Sequence, residues 1–207
     1  MINYDLMAED FDTEERIKRA KAFADELRKH IADGGNKSAV DFGCGTGLVG
    51  FELIDSFDSM TFIDSSVGMI NQVEQKIFNK GISNARAMCC DLMKTALNNL
   101  SADYIFSSLA LHHIIDTEAV LVRLFDLLHK DGHLLIIDLD TDDGSFHAHH
   151  PDFDGHNGFG QPFLKGLCEK TGFGSIEIKT FYRAHKTVKG QERPYSFFIL
   201  DAIKSLY

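Results

Sequence analysis

Between residues 41 and 50 the chain reads Asp41-Phe42-Gly43-Cys44-Gly45-Thr46-Gly47-Leu48-Val49-Gly50, a glycine-rich turn running into an apolar, helix-compatible stretch. Glycines allow a tight turn and let the backbone approach a ligand closely. A helix that starts just after such a turn aims its free amides at anionic groups. Gly45 to Gly50 matches G-x-G-x-x-G letter for letter, and that pattern alone serves NAD, FAD and S-adenosylmethionine equally. Two carboxylates follow. Asp64 closes a strand-like run 17 residues after Gly47, where it can accept both hydroxyls of an adenosine ribose. Asp91, in Cys89-Cys90-Asp91-Leu92, follows another strand-like run and can accept from an adenine amino group.

Histidines form the second concentration of chemistry. His112 and His113 follow the run Asp103 to Leu111, and an imidazole there can take a proton from an acceptor hydroxyl near neutral pH. From Asp131 to Leu164 the chain holds seven aspartates and five of its ten histidines, with no lysine or arginine. The centre of this stretch is His147-Ala148-His149-His150-Pro151-Asp152-Phe153-Asp154-Gly155-His156. Imidazole with carboxylate suits zinc, iron or manganese. The segment over residues 140–158 reads more simply as a lid or as pocket lining, and no metal ligand is assigned. Phe146, Phe153 and Phe159 supply apolar walls. The four cysteines (44, 89, 90 and 168) contain no C-x-x-C pair, which excludes a disulfide framework and a cysteine zinc site and points to a reduced, cytoplasmic protein.

These residues need a scaffold. Asp12 followed by Glu15 suggests a capping box, and apolar residues from Ile17 to Ile31 recur at helical spacing up to Gly34 and Gly35. Strands are expected at 39–42, 60–64, 85–90, 104–106 and 133–139. Helices are expected at 48–56, 66–80, 117–130 and 161–171, the last three closed by Gly81, Gly132 and Gly172. His133 to Leu139 is almost continuously apolar, as in a strand buried on both faces. Strand–helix alternation five times over predicts a parallel sheet with helices on both faces. Ser175 to Tyr182 and Tyr195 to Ala202 are strand-like with no helix between them, so they predict an antiparallel hairpin at one edge, joined by a link carrying Gly190 and Pro194. The fold class is therefore α/β: a Rossmann-like, doubly wound, mostly parallel seven-stranded sheet with a C-terminal antiparallel hairpin and an N-terminal helix. Residues 1–36 read as a helical lid segment, in which Tyr4 and Phe11 can close on a ligand, and 37–207 as the main domain.

Of the 207 residues, 31 are acidic and 21 basic, a formal charge of −10. That balance argues against a protein that binds nucleic acid by neutralising phosphates. No apolar run approaches the ~18 residues of a membrane span.

Taken together, Asp41 to Gly47, Asp64-Ser65-Ser66-x-x-Met69, Cys90-Asp91-Leu92 and Asp103 to Ile114 resemble class I S-adenosylmethionine-dependent methyltransferases. The likeness is to the small type 11/12 group that includes quinone-biosynthesis-like enzymes, and it covers about residues 37 to 204. It implies a cofactor site built from Asp41, Gly43, Cys44, Gly45, Gly47, Asp64, Ser65, Met69, Asp91, Leu92 and Ser107. The Gly43–Gly47 backbone would cradle the methionine part and Asp41 would orient it. Asp64 would hold the ribose, Met69 and Leu92 would sandwich the adenine, and Asp91 would read its amine. Ser107 and Ser108 would meet the amino-acid end. The implied partner is a small-molecule methyl acceptor, at O, N or C, with His112 or His113 as base if the acceptor is a hydroxyl. An acidic mouth also suits a sulfonium cation.

Two other readings stay open: an NAD(P)-dependent oxidoreductase, and a non-catalytic module that binds S-adenosylmethionine. Tyr182-x-x-x-Lys186 spells a short-chain dehydrogenase pair, but it lies in a strand-like run where a helix would be needed. No P-loop is present, and Ser107-Ser108-Leu109-Ala110 stands where an Asn/Asp-Pro-Pro-Tyr would signal methylation of an amide or base amine.

Overall fold

A computed structural model describes residues 4–32, 36–95, 97, 99–150 and 153–205. Gly34, Gly35, Pro151 and Asp152 therefore lie outside the described residues. After a single turn α1 (Tyr4–Met7) comes α2 (Glu14–Arg28), then β1 (Ser38–Phe42), α3 (Leu48–Leu53), β2 (Ser59–Asp64), α4 (Val67–Lys80) and β3 (Ala85–Cys89). The second half runs β4 (Ala102–Ser108), α5 (Thr117–Leu127), β5 (Leu128–Leu139), α6 (Gln161–Thr171), β6 (Gly174–Val188) and β7 (Gln191–Ile203). The strands form one seven-stranded sheet in the order β3-β2-β1-β4-β5-β7-β6. The first five are mutually parallel, and β7 is antiparallel to both β5 and β6.

Chain order reverses between β1 and β4, which makes their carboxyl ends the switch point where open α/β sheets take ligands. The sheet is covered on both faces. One layer gathers Val40, Ile105, Leu121, Leu124, Leu134 and Ile136 with α5 and α6. The other gathers Phe23, Leu27, Leu53, Phe62, Phe106 and Ile137 with α2, α3 and α4. Successive strand residues point to opposite faces, so β4 and β5 feed both layers and are apolar almost throughout. No helix of the described residues is long and apolar enough to cross a membrane.

Several boundaries shift for identifiable reasons. Thr13, not Asp12, caps α2, its hydroxyl accepting from the Arg16 amide at 3.3 Å. Asp12 is drawn away to Thr46 Oγ1 (2.5 Å) and Lys76 Nζ (2.6 Å). The α5 helix stops at Leu127 rather than Lys130 because Leu128 is already extended, and Asp131 takes a left-handed φ of 61° beside Gly132. The terminal hairpin is longer than its apolar core suggests and turns at Lys189-Gly190. Pro194 belongs to β7, opposite His185, and not to the turn. The β5–β7 pairing begins at Leu139–Phe197, so Pro194 has a strand neighbour on one side only and its missing N–H is tolerated. Tyr182 and Lys186 both lie in β6, about 13 Å apart at strand rise. Tyr182 stacks on Phe197 and Lys186 donates to the Phe146 carbonyl, so the dehydrogenase pairing is not made.

Candidate functional site

The glycine turn leaves β1 with Gly43, Gly45 and Gly47 all left-handed, at φ of 67°, 53° and 80°. A Cβ on Gly43 would stand 2.3 Å from the Ala110 Cβ. The turn is therefore pressed against the loop that leaves β4, two residues before His112. It is pinned from below by the Gly43 and Cys44 amides, which donate to the Ile63 carbonyl at 2.8 and 3.0 Å.

Asp41 lies at the base of this turn and is buried, and neither of its oxygens has a hydrogen-bond partner. Burial, with the Asp64 charge adding to it, pushes its carboxyl up to about 8, against some relief from the Gly50 backbone. Burial likewise lifts the Cys44 thiol well above its ordinary range. Asp64, at the end of β2, accepts from the Gly45 amide (2.8 Å) and the Ser66 amide (2.9 Å). Its carboxyl is raised mainly by burial, and those amides moderate the rise. One carboxylate thus fixes both the glycine turn and the start of α4, and with the Ser65 amide also donating to it, acceptor capacity still remains for a ligand hydroxyl.

The other cofactor-side residues divide by exposure. Ser107, at the end of β4, is buried with its hydroxyl unpartnered. Met69, in the first turn of α4, and Leu92, after β3, are both buried. Ser65 lies between the anchored Asp64 and the α4 cap Ser66, and its carbonyl receives the Cys89 thiol. Asp91 is partly exposed and bonded to Lys94 (2.7 Å) and to the Met93 amide (3.0 Å). The Lys94 bond holds its carboxyl below the usual range.

The segment ahead of α2 lies across these elements. Asp5 accepts from Ser66 Oγ (2.6 Å) and from the Gly68 amide (2.8 Å). The Phe11 ring sits 3.6 Å from where a Gly45 Cβ would be, and Arg16 stacks over that ring at 4.2 Å. Tyr4 bonds its hydroxyl to His113 Nε2 at 3.0 Å. Burial, then the Asp64 charge, raises the Tyr4 phenol to about 12.

Beyond β4 the chain makes a tight turn. Leu109 takes a left-handed φ of 53°, strained for so bulky a residue, and its amide donates to Ile137. A 3₁₀ turn, Leu111–His113, follows. His112 is buried, its Nδ1 2.5 Å from Asp138 Oδ1 on β5. The amides of Leu139 and His112 also donate to Asp138. Nδ1 of His112 faces the carboxylate as donor, which leaves Nε2 as the ring nitrogen open to a further partner. That Nε2 is buried without a partner.

His147, from the 3₁₀ turn Ser145–His147, completes a triad of rings. The His112–His113, His112–His147 and His113–His147 centroids lie 4.2, 5.0 and 5.7 Å apart. Burial, then the His112 ring, depresses His113 to about 3 and His147 to about 4, so both are neutral at pH 7. Phe153 stacks on His147 at 3.7 Å.

The histidine-rich loop, one stretch in sequence, is divided in the structure. His147 turns inward, His149 and His150 are exposed, and His156 is engaged with Thr117 and the Ile114 carbonyl. His147 and Asp138 were not singled out as site residues. A usable signal existed for Asp138: a lone carboxylate inside a strand buried on both faces must have a partner.

The match to known proteins is consistent along the chain. The profile of a family described as a methyltransferase domain covers residues 33–176, more than half of the sequence. The chain belongs to that methyltransferase-domain family. It is similar to an uncharacterized methyltransferase of Schizosaccharomyces pombe, 28% identical over 155 residues, 68% of this chain and 55% of that one. It is also similar to an uncharacterized methyltransferase of Mycobacterium tuberculosis, 31% identical over 103 residues, 50% of this chain and 51% of that one. The chain thus spans about half the length of these curated relatives. Among solved structures, a phosphoethanolamine N-methyltransferase 2 of Haemonchus contortus, in complex with phosphomonomethylethanolamine and S-adenosylhomocysteine, superposes with a TM-score of 0.75. The overlap covers 89% of this chain and 53% of that one at 16% identity, a likeness of fold.

Proposed function

We propose that this methyltransferase-family chain transfers a methyl group from S-adenosylmethionine to a small-molecule acceptor. One observation carries the reading. Among the described residues, five of the six buried side-chain atoms without partners gather at the carboxyl ends of β1 and β4 and in the loops beyond: both oxygens of Asp41, Ser107 Oγ, His112 Nε2 and His147 Nδ1; the sixth, His30 Nε2, lies elsewhere. Buried polar atoms are normally bonded, so a cluster of orphans marks the place of a polar ligand. The residues fit the donor. Glycines hold an open cradle where a Cβ on Gly43 would clash, Asp41 can meet the α-ammonium group of the amino-acid end, and Asp64 offers a carboxylate for a ribose.

When bound, the cofactor supplies an already activated sulfonium methyl group. The chain's own part is then alignment and exclusion of water. Asp64 orients the adenosine by holding the glycine turn and the α4 terminus in register. Residues 4–13 cover the mouth through Tyr4, Asp5, Phe11 and Asp12, whereas α2 behind them packs into the sheet's core layer and is not part of a lid. His112 and His113 face the acceptor, because they continue the loop that touches the glycine turn at Ala110. Order in the sheet disfavours a nicotinamide enzyme: antiparallel β7 between β5 and β6 replaces the second half of a dinucleotide fold.

The test is calorimetric titration with S-adenosylhomocysteine. Saturable binding is expected, weakened tenfold or more in Asp64→Ala. Binding of NADH instead, with no competition from S-adenosylhomocysteine, would replace this reading.

A further inference from the structure

The histidine triad lies beside the cofactor cradle and has a construction of its own. Among the described residues, His112, His113 and His147 are the set able to hold a metal ion, one ring nitrogen from each lying within 4.8 Å of the others. We propose that these three residues bind a divalent first-row transition ion of the zinc or cobalt type, leaving one coordination position open.

Four features support it. Three imidazoles are a sufficient ligand set for such an ion, with the fourth position left to an exchangeable group. Bonds of about 2.0–2.1 Å in a tetrahedron require nitrogens roughly 3.3 Å apart, so the rings need to close in by up to about 1.5 Å. Two of the three rings keep a free nitrogen, since Nε2 of His112 and Nδ1 of His147 are buried and unpartnered, while His113 Nε2 meets the Tyr4 hydroxyl, which an ion would displace or which leaves Nδ1 as the ligand. Asp138 then has a defined task. By accepting from Nδ1 at 2.5 Å it fixes the tautomer that aims Nε2 outward, an arrangement usual behind metal-bound imidazole.

The frame is also stiff. The His156 amide donates to the His112 carbonyl at 2.7 Å, and a Cβ on Gly155 would stand 2.3 Å from that oxygen, so the 150s loop clamps the turn. Phe153 packs flat on His147 and shields it from water. His113 is only partly buried, and the hydroxyl of Tyr4 reaches it, so that ring marks the side from which a ligand enters. Ligation would occupy the lone pairs that a side-chain base needs. An ion here therefore takes over the polarising role anticipated for His112 or His113.

The experiment uses the tag-free 207-residue chain, stripped with a chelator and titrated with cobalt(II). One equivalent should bind and give the intense visible d–d absorption of a tetrahedral site, displaced by zinc(II). Azide should perturb that spectrum if a position is open. His147→Ala and His113→Ala should each weaken binding tenfold or more, and Asp138→Asn by 10- to 100-fold although it touches no metal. The double variant His149→Ala/His150→Ala, on the exposed part of the loop, should bind as the parent does. Should His112→Ala or Asp138→Asn fail to fold, the partly exposed His113 still decides. Absence of saturable cobalt binding overturns the proposal, as does binding that survives both His113→Ala and His147→Ala or is abolished by the double variant. Binding of S-adenosylhomocysteine is read in the same samples, so loss of the metal site and failure of the methyltransferase reading are told apart.

Discussion

Asp41 offers a prediction in which protons report on the site. Its carboxyl, ordinarily near 3.8, is pushed to about 8 by burial and by Asp64. At pH 7 it then carries about 0.9 of a proton, and at pH 9 about 0.1. A ligand bringing positive charge to these orphaned oxygens favours the ionised form and expels that proton. Binding of S-adenosylhomocysteine with its α-ammonium group against Asp41 should therefore release about 0.9 proton at pH 7 and about 0.1 at pH 9. Calorimetry in buffers of different ionisation enthalpy measures this directly. In Asp41→Asn the release should vanish, and the affinity should fall. Stability follows the same linkage with a definite sign. Below pH 3.8 both folded and unfolded chains hold the proton, and Asp41 contributes no slope. Between 3.8 and about 8 only the unfolded chain has lost it, so stability falls with rising pH by about 1.36 kcal/mol per unit. Above about 8 the penalty, roughly 6 kcal/mol when complete, is constant. Asp41→Asn should flatten that slope in chemical denaturation at a series of pH values. Proton release that is zero in the parent, or that persists in Asp41→Asn, would refute the reasoning.

Other outcomes are expected. Gly43→Ala must accept both a left-handed φ of 67° and a 2.3 Å approach to Ala110. It should lose about 2–4 kcal/mol in denaturant unfolding and abolish measurable S-adenosylhomocysteine binding; full stability would show that the loop yields. Removing residues 1–10 takes away the Tyr4–His113 and Asp5–Ser66 contacts. The S-adenosylhomocysteine off-rate in stopped-flow should then rise at least fivefold, and an unchanged rate would remove the lid. Asp64→Ala and the cobalt titration carry the remaining two tests, described above.

Much of the frame was legible in the chain because its signals are local. Ser66 caps α4 and Gly81 ends it with φ of 63°, while Gly172 closes α6, as the punctuation of the sequence implies. The glycine turn and Asp64 were equally plain, being fixed offsets around one strand–turn–helix unit. What escaped is long-range. Asp12 looks like a cap until Lys76, 64 positions away, competes for it. His147 looks like one of five histidines in an acidic loop until the fold carries it to His112. Asp138 looks like an interruption in an apolar strand until the turn after β4 brings His112 onto it. Periodicity reports which face a residue takes, and none of these pairings is a matter of face.

The terminal hairpin runs past the end of β5, and its outer part supports the loop that carries the third histidine. Lys186 holds the Phe146 carbonyl, and Tyr195 and Phe197 pack against the Phe146 ring, one residue before His147. The glycine turn, by contrast, hangs from β1, β2 and the loop after β4. On the proposed reading, donor grip and acceptor shape would thus have separate anchorages. On that reading, shortening or re-sequencing the ribbon tip should change acceptor preference more than S-adenosylhomocysteine affinity, which makes that tip the natural lever for anyone wishing to redirect what the molecule modifies.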